Sequence, residues 1–175
     1  NTLLGTNAGD SFTGTDANNN TLIAYDAGTA ITTGDDNTAV GYQAIKLNTT
    51  GSKNTSIGSL AGYTNTTSDN NTSVGYGASF YNTGEWNVSL GSEALLGSSS
   101  VASTGEENVA IGAYALRTNY TGNHNTAVGR SAGFDVTSGD NNTLIGWGAG
   151  TNLSPAMISS VDNHVVIGDN NVTSA

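Results

Sequence analysis

The stretch Asn37–Lys53 reads NTAVGYQAIKLNTTGSK, and variants of these 17 residues, laid end to end, make up the rest of the chain. Successive copies start 19, 17, 17, 17, 16, 21, 17, 17 and 22 residues apart. A period this regular indicates stacked structural units that share one continuous core. Each copy starts at an anchor residue, position 1 of the repeat, and the anchors are Asn1, Asn20, Asn37, Asn54, Asn71, Asn87, Asn108, Asn125, Asn142 and His164.

Three further positions of the repeat hardly vary between copies. Position 5 is glycine except for Ala24, and position 8 is alanine in every full copy. The glycine allows a bend or a close approach of two backbones, and the alanine limits side-chain volume where the coil is narrow. Position 4 is always aliphatic: Leu4, Ile23, Val40, Ile57, Val74, Leu90, Ile111, Val128, Ile145 and Ile167.

The repeat predicts an all-β fold. No run of ten or more residues has the 3.6-residue period of a helix, and short apolar stretches alternate with clusters of Gly, Asn, Asp and Thr. We therefore expect a β-solenoid (β-roll) of about ten short coils, each with two short strands and two turns. The chain is predicted to be a single β-solenoid domain, residues 1–175. Its length would be roughly 45 to 50 Å at a spacing of about 4.8 Å per coil.

Side-chain alternation in the first strand predicts an oligomer. Successive side chains of a strand point to opposite faces, and we expect the aliphatic position 4 to fill the coil interior. Position 3 would then face outward, where its small or apolar character predicts burial against another chain, in a parallel homotrimer. The residues at position 3 are Leu3, Leu22, Ala39, Ser56, Ser73, Ser89, Ala110, Ala127 and Leu144.

Two rows of asparagines are expected at the turns. The anchors should stack on one another and form a structural ladder, in particular Asn37, Asn54, Asn71, Asn108, Asn125 and Asn142. A second row, at position 12, marks the other turn and contains Asn82. Three members of that row belong to N-x-S/T sequons and are candidates for glycosylation: Asn48, Asn65 and Asn119.

Composition excludes several classes of partner. The net charge is -10 and only 10% of the residues are charged, so a basic surface for nucleic acid or an anionic membrane is missing. The chain has no cysteine for a disulfide or thiolate site, and no apolar run long enough to span a bilayer. It starts inside a repeat without a methionine, which predicts a processed product or a segment of a longer protein.

The sequence contains no recognisable catalytic constellation. His124 and His164 lie about two coils apart, and no nucleophile motif accompanies them, so we predict no enzymatic activity and no cofactor. An interrupted acidic row lies two residues before the anchors, but the pattern of calcium-binding solenoids is absent. Solvated turn residues are favoured over a metal site. The acidic row consists of Asp35, Asp69, Glu85, Glu106 and Asp140.

Aromatic residues at position 6 are the candidates for ligand binding. Arg130 and Ser59 interrupt this column, which predicts exposure of the aromatic rings as platforms for sugars. The glycan-binding candidates are Tyr25, Tyr42, Tyr76 and Trp147. The aromatic residues Tyr63, Phe80 and Phe134, at position 10, are expected to pack in the core or between chains.

The units NTAVGYQA, NTSIGSLAG, NTSVGYGA, NVAIGAYAL and NTAVGRSAG carry a family resemblance. They resemble the 17-residue NTAVGYQAL-type repeats of bacteriophage tail fibres and bacterial surface proteins. The segment Asn108–Gly112 is also similar to the S-x-A-I-G core of trimeric autotransporter adhesin heads, apart from its first residue. The resemblance implies a homotrimer of β-rolls located outside the cell, on a virion or a cell surface. Departures from the pattern are the insertion Gly97–Ser103, the long copy around Pro155, and Ala24.

The sequence therefore leads to one main hypothesis and two alternatives. The main hypothesis is a structural fibre or adhesin segment, a rigid extracellular β-solenoid that binds cell-surface glycans through position 6 and the inserted loops. The first alternative is a filament subunit that assembles end to end, since uncapped solenoid ends expose strand edges. The second is an ice-binding solenoid, based on the threonine column at position 2, which Val88 and Val109 interrupt.

Overall fold

A computed structural model describes residues 1–12, 16–151 and 159–168 of the chain. These residues form an all-β parallel solenoid of about eight turns. Each strand has three residues and starts directly after an anchor, and all ten strands join one parallel sheet in sequence order. The strands are β1 Thr2–Leu4, β2 Thr21–Ile23, β3 Thr38–Val40, β4 Thr55–Ile57, β5 Thr72–Val74, β6 Val88–Leu90, β7 Val109–Ile111, β8 Thr126–Val128, β9 Thr143–Ile145 and β10 Val165–Ile167.

Neighbouring coils are in register, position for position. In the β3–β4 pair, for example, Thr38 faces Thr55. Hydrogen bonds between coils continue beyond the strands and around the turns, as between the Gly28 amide and the Ala44 carbonyl at 3.0 Å. Each coil is therefore bonded to the next around most of its circumference, which makes the array stiff.

The second strand that the sequence predicts for each coil is absent from the described residues. Instead, the backbone turns with a positive φ at positions 7 and 9, as at Gln43 (56°) and Ile45 (42°). This left-handed conformation interrupts the extended geometry that a strand requires. The single exception is an isolated parallel bridge between Asn82 and Ser103. The far side of the solenoid is thus built from turns that still bond to the neighbouring coils.

The predicted orientation of the first strand is wrong. Position 3 faces the interior of its own coil, where Leu22, Ala39 and Leu144 are completely buried. Position 4 faces outward, and Ile57 is 40% exposed while Leu4 is 66% exposed. The side chains alternate between two faces, as the sequence predicts, but the face predicted to be interior is the exterior one.

Limited interior space explains this orientation. Leu22 fills its coil together with Gly28 at position 9, whereas the smaller Ala39 is matched by Ile45 at that position. A Cβ atom added at Gly133 would lie 2.7 Å from Leu144 Cδ1 in the next coil, so the space is already filled. A branched aliphatic residue in every coil, in addition to the alanine at position 8, would overfill this interior.

The interior is apolar in two segments that are separated by buried serines. One apolar cluster runs from Ala8 to Ile45, and the other runs from Ala94 to Ala149. Two of the serines between the clusters bond to each other, through a 2.9 Å contact between the Ser79 and Ser89 hydroxyls. The buried serines at positions 3 and 9 are Ser56, Ser73, Ser79 and Ser89.

The anchor asparagines form a ladder along the solenoid, and their hydrogen bonds run mainly to the backbone. The Asn37 Oδ1 atom accepts the backbone amide of the next anchor, Asn54, at 3.0 Å. Its Nδ2 atom donates to the Gly51 carbonyl at 2.9 Å, and Asn48 Nδ2 donates to the same carbonyl at 2.8 Å. The two asparagine rows therefore hold the same closing turn from both sides. The same bond recurs along the array: every anchor from Asn20 to His164 donates its backbone amide to the Oδ1 atom of the preceding anchor.

The glycine column at position 5 has two causes. Gly41 has φ 138°, and a Cβ atom there would lie 2.6 Å from the carbonyl carbon and oxygen of Gly58 in the next coil. Both the conformation and the contact exclude a side chain. Ala24 nevertheless occupies this position with φ 109°, so the structure stores backbone strain there.

We expect Ala24→Gly to stabilise the protein. Relief of the strain, less the entropy that glycine loses on folding, should raise the free energy of unfolding by roughly 1–2 kcal/mol. The measurement is urea unfolding followed by circular dichroism. Ala27→Gly in the same coil, where the residue is completely buried, is the control and should destabilise the protein. Equal effects of the two changes would contradict the assignment of strain to Ala24.

We expect Asn54→Ala to destabilise the protein because it removes one rung of the ladder. The buried amide of Asn71 then loses its acceptor, at a cost of roughly 1–3 kcal/mol. The measurement is the free energy of unfolding in urea. The control is Thr55→Ala, at a neighbouring residue that faces outward, and this change should cost less than about 0.5 kcal/mol. A loss no larger than that of the control would show that the ladder does not stabilise the fold.

Candidate functional site

The four aromatic candidates at position 6 are exposed, as the sequence predicts. They lie just after the outward-facing strand residues, on the turn that starts at the position 5 glycine. Tyr25 and Tyr42 stack on each other with ring centroids 5.7 Å apart, so one face of each ring is occupied. Tyr76 and Trp147 are 55% and 57% exposed. The four rings do not form one continuous platform, because smaller residues separate Tyr42, Tyr76 and Trp147.

A polar network lies beside the stacked tyrosines. The Asp26 carboxylate accepts bonds from Asn7 Nδ2 at 2.9 Å and from Gln43 Nε2 at 3.3 Å, and it pairs with Lys46 Nζ at 2.8 Å. The hydrogen bond from Lys46 has the largest effect on Asp26 and lowers its pKa, and the same bond raises the pKa of Lys46. The pair joins position 7 of one coil to position 10 of the next.

The same cross-coil pairing occurs a second time. Glu93 at position 7 accepts a 2.8 Å bond from Arg117 Nε at position 10 of the following coil. The Arg117 guanidinium also lies over the Phe134 ring, 5.6 Å from its centroid. The ion pair and the cation–π contact together hold the Arg117 side chain in a defined position.

The aromatic residues at position 10 are half-buried on the outer surface. Tyr63 and Phe80 stack with centroids 4.8 Å apart, and Tyr81 contacts Phe80 edge-on at 4.5 Å. Tyr63, Phe80 and Phe134 therefore do not belong to the buried core that the sequence suggested. Their packing between chains stays a prediction.

The insertion Gly97–Ser103 forms a closed loop that leaves the repeat undisturbed. The Ser98 amide donates to the Ser103 hydroxyl at 2.9 Å, which closes the base of the loop. Ser103 then bridges to Asn82, so the chain re-enters the register of the coils. The other predicted loop, around Pro155, lies outside the described residues.

Open depressions interrupt the regular surface of the described residues at two neighbouring places. The first measures about 170 Å³, and its walls include Tyr76, Phe80, Tyr81, Glu93 and Arg117. The second, of about 410 Å³, lies between Tyr81 and the inserted loop and is rich in serine and threonine hydroxyls. Tyr81 borders both. We regard the first depression as the candidate functional site because aromatic and charged groups meet there.

Sequence reasoning singled out only Tyr76 as a binding residue in this depression. Tyr81, Glu93 and Arg117 were missed because they belong to three successive coils and share no motif. A signal was present in the pattern, since an acid at position 7 precedes a base at position 10 of the next coil in both Asp26–Lys46 and Glu93–Arg117.

The three candidate glycosylation sites are not accessible in the folded chain. Asn48, Asn65 and Asn119 are buried, and the side-chain amide of each donates to a backbone carbonyl while its oxygen accepts a backbone amide. A glycan on the amide nitrogen would break these bonds and could not be accommodated in the interior. The prediction was wrong because position 12, although part of a turn, points inward.

The acidic row has a structural role at several of its positions. Asp35, Asp69 and Asp140 each accept a backbone amide from the preceding coil, at 2.6 to 2.7 Å. Residues 1–12, 16–151 and 159–168 contain no cluster of three acidic, histidine or cysteine side chains that could hold a metal ion. His124 lies 3.5 Å from Glu107 on the exposed surface, and His164 Nδ1 contacts the Asp162 carbonyl at 2.7 Å.

The Asp26 network makes stability dependent on pH. Because the folded pKa of Asp26 lies below its unfolded value of 3.8, its contribution is present above that value and is lost as pH falls through the folded pKa. Asp26→Asn should therefore be less stable than the parent at pH 7, and the difference should shrink below about pH 4. Urea unfolding at pH 7, 5 and 3 measures it. The partner change Lys46→Gln should reduce the pH dependence, and a difference independent of pH would contradict the assignment.

No helix in the described part of the chain has the length and hydrophobicity needed to cross a membrane. No protein-family model, no curated protein and no solved structure matches this chain. The repeat and the surface that it builds therefore carry the functional assignment.

Proposed function

We propose that the chain is a rigid, non-enzymatic segment of an extracellular fibre or adhesin, located on a virion or a cell surface. In this proposal each strand starts one coil of a rod of ten coils, and three parallel chains pack about a common axis. The exposed aromatic residues then engage glycans on another cell. The family resemblance of the repeat supports this assignment, and so does the continuous bonding between coils.

The observation that carries the proposal is the outward face of the sheet. Positions 2 and 4 of the strands form two parallel columns, of threonine or valine and of aliphatic residues. None of the 4 basic and 14 acidic residues of the chain belongs to these two columns. An apolar stripe that follows a whole rod is larger than the patches that monomers usually expose.

Copies of the same chain are the occupants that fit this face best. Because the net charge is -10, most of the surface of a second copy would repel the first. The uncharged strand face is the surface where that repulsion is smallest and where apolar burial favours association. The chain interface therefore lies on position 4 and not on position 3, which the coil itself buries.

Rigidity follows from the bonding pattern. The coils bond to one another through the strands, the turns and the asparagine ladder, so bending the rod would break several hydrogen bonds at once. A fibre segment needs this property because it must hold a binding end at a distance from the surface that carries it.

Two alternatives use features of the same structure. β1 and β10 are the edge strands of the sheet, and further copies that bonded to them would build a filament. The threonine column beside the aliphatic column is also the face that an ice-binding solenoid would present. Electron microscopy and ice-crystal growth distinguish these alternatives from a closed trimer, because only a filament lengthens with concentration and only an ice-binding protein reshapes the crystals.

We expect light scattering to give a discrete particle of about three times the chain mass of 17.6 kDa. Ile57→Lys should convert it to a monomer, because it places a charge on the proposed interface. Since Ile57 is 40% exposed in the single chain, the change should leave the fold intact, as circular dichroism would verify. Ser59→Lys, two residues further along the same coil, is the control and should leave the mass unchanged.

A monomeric parent chain would overturn the trimer. An Ile57→Lys variant with the mass of a trimeric parent would overturn the interface at position 4. Long filaments in the electron microscope would favour end-to-end assembly instead.

A further inference from the structure

The geometry points to the depression beside Gly77 as a binding subsite for a neutral sugar ring. This inference deepens the glycan-binding part of the proposed function and is independent of the trimer. The residues that carry it occupy positions 6 to 11 of their coils, so none of them belongs to the strand face proposed as the chain interface.

The depression exists because one side chain is missing from a regular column. Position 7 carries Leu60 in the preceding coil and Glu93 in the following coil, with Gly77 between them. A Cβ atom added at Gly77 would lie 3.8 Å from Glu93 Cγ and from Leu96 Cδ1, which is ordinary van der Waals contact, so a side chain is missing here where one could be placed without a clash. The gap is one side chain wide and is bordered on both sides.

The aromatic walls differ from the stacked pair elsewhere on the rod. The 55% exposed ring of Tyr76 has no aromatic partner among the described residues, whereas Tyr25 and Tyr42 cover each other. Phe80 is held by Tyr63 on one side and by the edge contact with Tyr81. The depression thus combines the exposed ring of Tyr76 with the ring of Phe80, which its aromatic neighbours hold in place.

The polar wall supplies both kinds of hydrogen-bonding group. The bond between Arg117 Nε and Glu93 Oε2 uses one nitrogen and one oxygen, which leaves Glu93 Oε1 to accept and the terminal guanidinium nitrogens to donate. The side chains of Arg117 and Glu93 are 33% and 25% exposed, so both remain accessible to a ligand. The contact with Phe134 holds Arg117 in position without a ligand.

These features match the chemistry of a pyranose. A sugar ring has an apolar face of C–H groups, which stacks on an aromatic ring, and adjacent hydroxyls, which pair with a carboxylate and a guanidinium. The volume of about 170 Å³ is smaller than the roughly 300–1,000 Å³ of sites for drug-sized ligands, which limits the occupant to a single small ring. Because Glu93 lines the wall and the chain carries a charge of -10, a neutral sugar fits better than an acidic one.

The test is an NMR titration of the full chain with methyl β-D-glucopyranoside, methyl β-D-galactopyranoside and methyl α-D-mannopyranoside, each at millimolar concentrations. N-acetylneuraminic acid serves as the acidic comparison. At least one neutral sugar should shift the backbone amide signals of Tyr76 and Gly77 in a saturable way, and the acidic sugar should bind more weakly.

Gly77→Leu should weaken this binding at least tenfold because the new side chain fills the depression. The change should be tolerated, since Leu60 already occupies the same position with φ 63° against 60° at Gly77. Ser131→Leu places the same side chain at position 7 of another coil, with φ 59°, and should leave the affinity unchanged. Tyr76→Ala, which removes the platform without adding bulk, should also weaken binding at least tenfold.

Failure of this inference differs from failure of the fibre proposal. Absence of binding by all three neutral sugars, unchanged affinity in Gly77→Leu and Tyr76→Ala, or stronger binding of the acidic sugar would each overturn it, whatever the mass of the particle. Circular dichroism of each variant shows that loss of binding does not reflect unfolding. The light-scattering mass of Gly77→Leu should equal that of the parent chain.

Discussion

The side-chain amide of the anchor asparagine is the interaction on which the rest of the structure depends. In each described coil it accepts the backbone amide of the next anchor and donates to the carbonyl of the closing turn. These two bonds satisfy buried backbone groups that no strand partner reaches, and leaving them unpaired would be costly. Because every rung has the same geometry, the repeat length is held close to 17 residues, and extra residues must leave the coil as a loop.

Interior volume is the second constraint and acts within each coil. The coil is so thin that it accommodates only one or two large side chains, from positions 3, 9 and 12, beside the alanine at position 8. Large Leu22 accompanies Gly28 at position 9, and small Ala39 accompanies Ile45. Where Ala127 accompanies Gly133, Val136 at position 12 and leucines of the adjacent coils fill the space. The aliphatic residues at position 4 are consequently directed outward, which gives the outer face of the sheet an apolar surface.

The candidate site lies beside an irregular copy. The shortened copy that starts at Asn71 and the two copies after it bring together an exposed tyrosine, two aromatic rings in contact and an ion pair. A perfectly regular solenoid would present continuous ridges of side chains, without a depression that could enclose a ligand the size of one sugar ring. The missing side chain at Gly77 creates such a depression, and the hydrogen bonds between coils continue beneath it.

The sequence by itself determined the repeat, the β-solenoid class and the strand that follows each anchor, because these follow from local periodicity and from the chemistry of single side chains. The second strand that it predicted in each coil is replaced by turns. It also indicated the exposure of Tyr76 and Trp147, since charged and small residues interrupt their column. Only the tertiary structure decided which strand face is inside, why Asn48 cannot carry a glycan, and which residues meet at Gly77. The physical reason is that the alternation of side chains along a strand defines two faces but does not determine which of them is buried. That choice depends on the summed volume of the side chains from positions 3, 8, 9 and 12 and from adjacent coils. These side chains meet only when the chain has folded into coils.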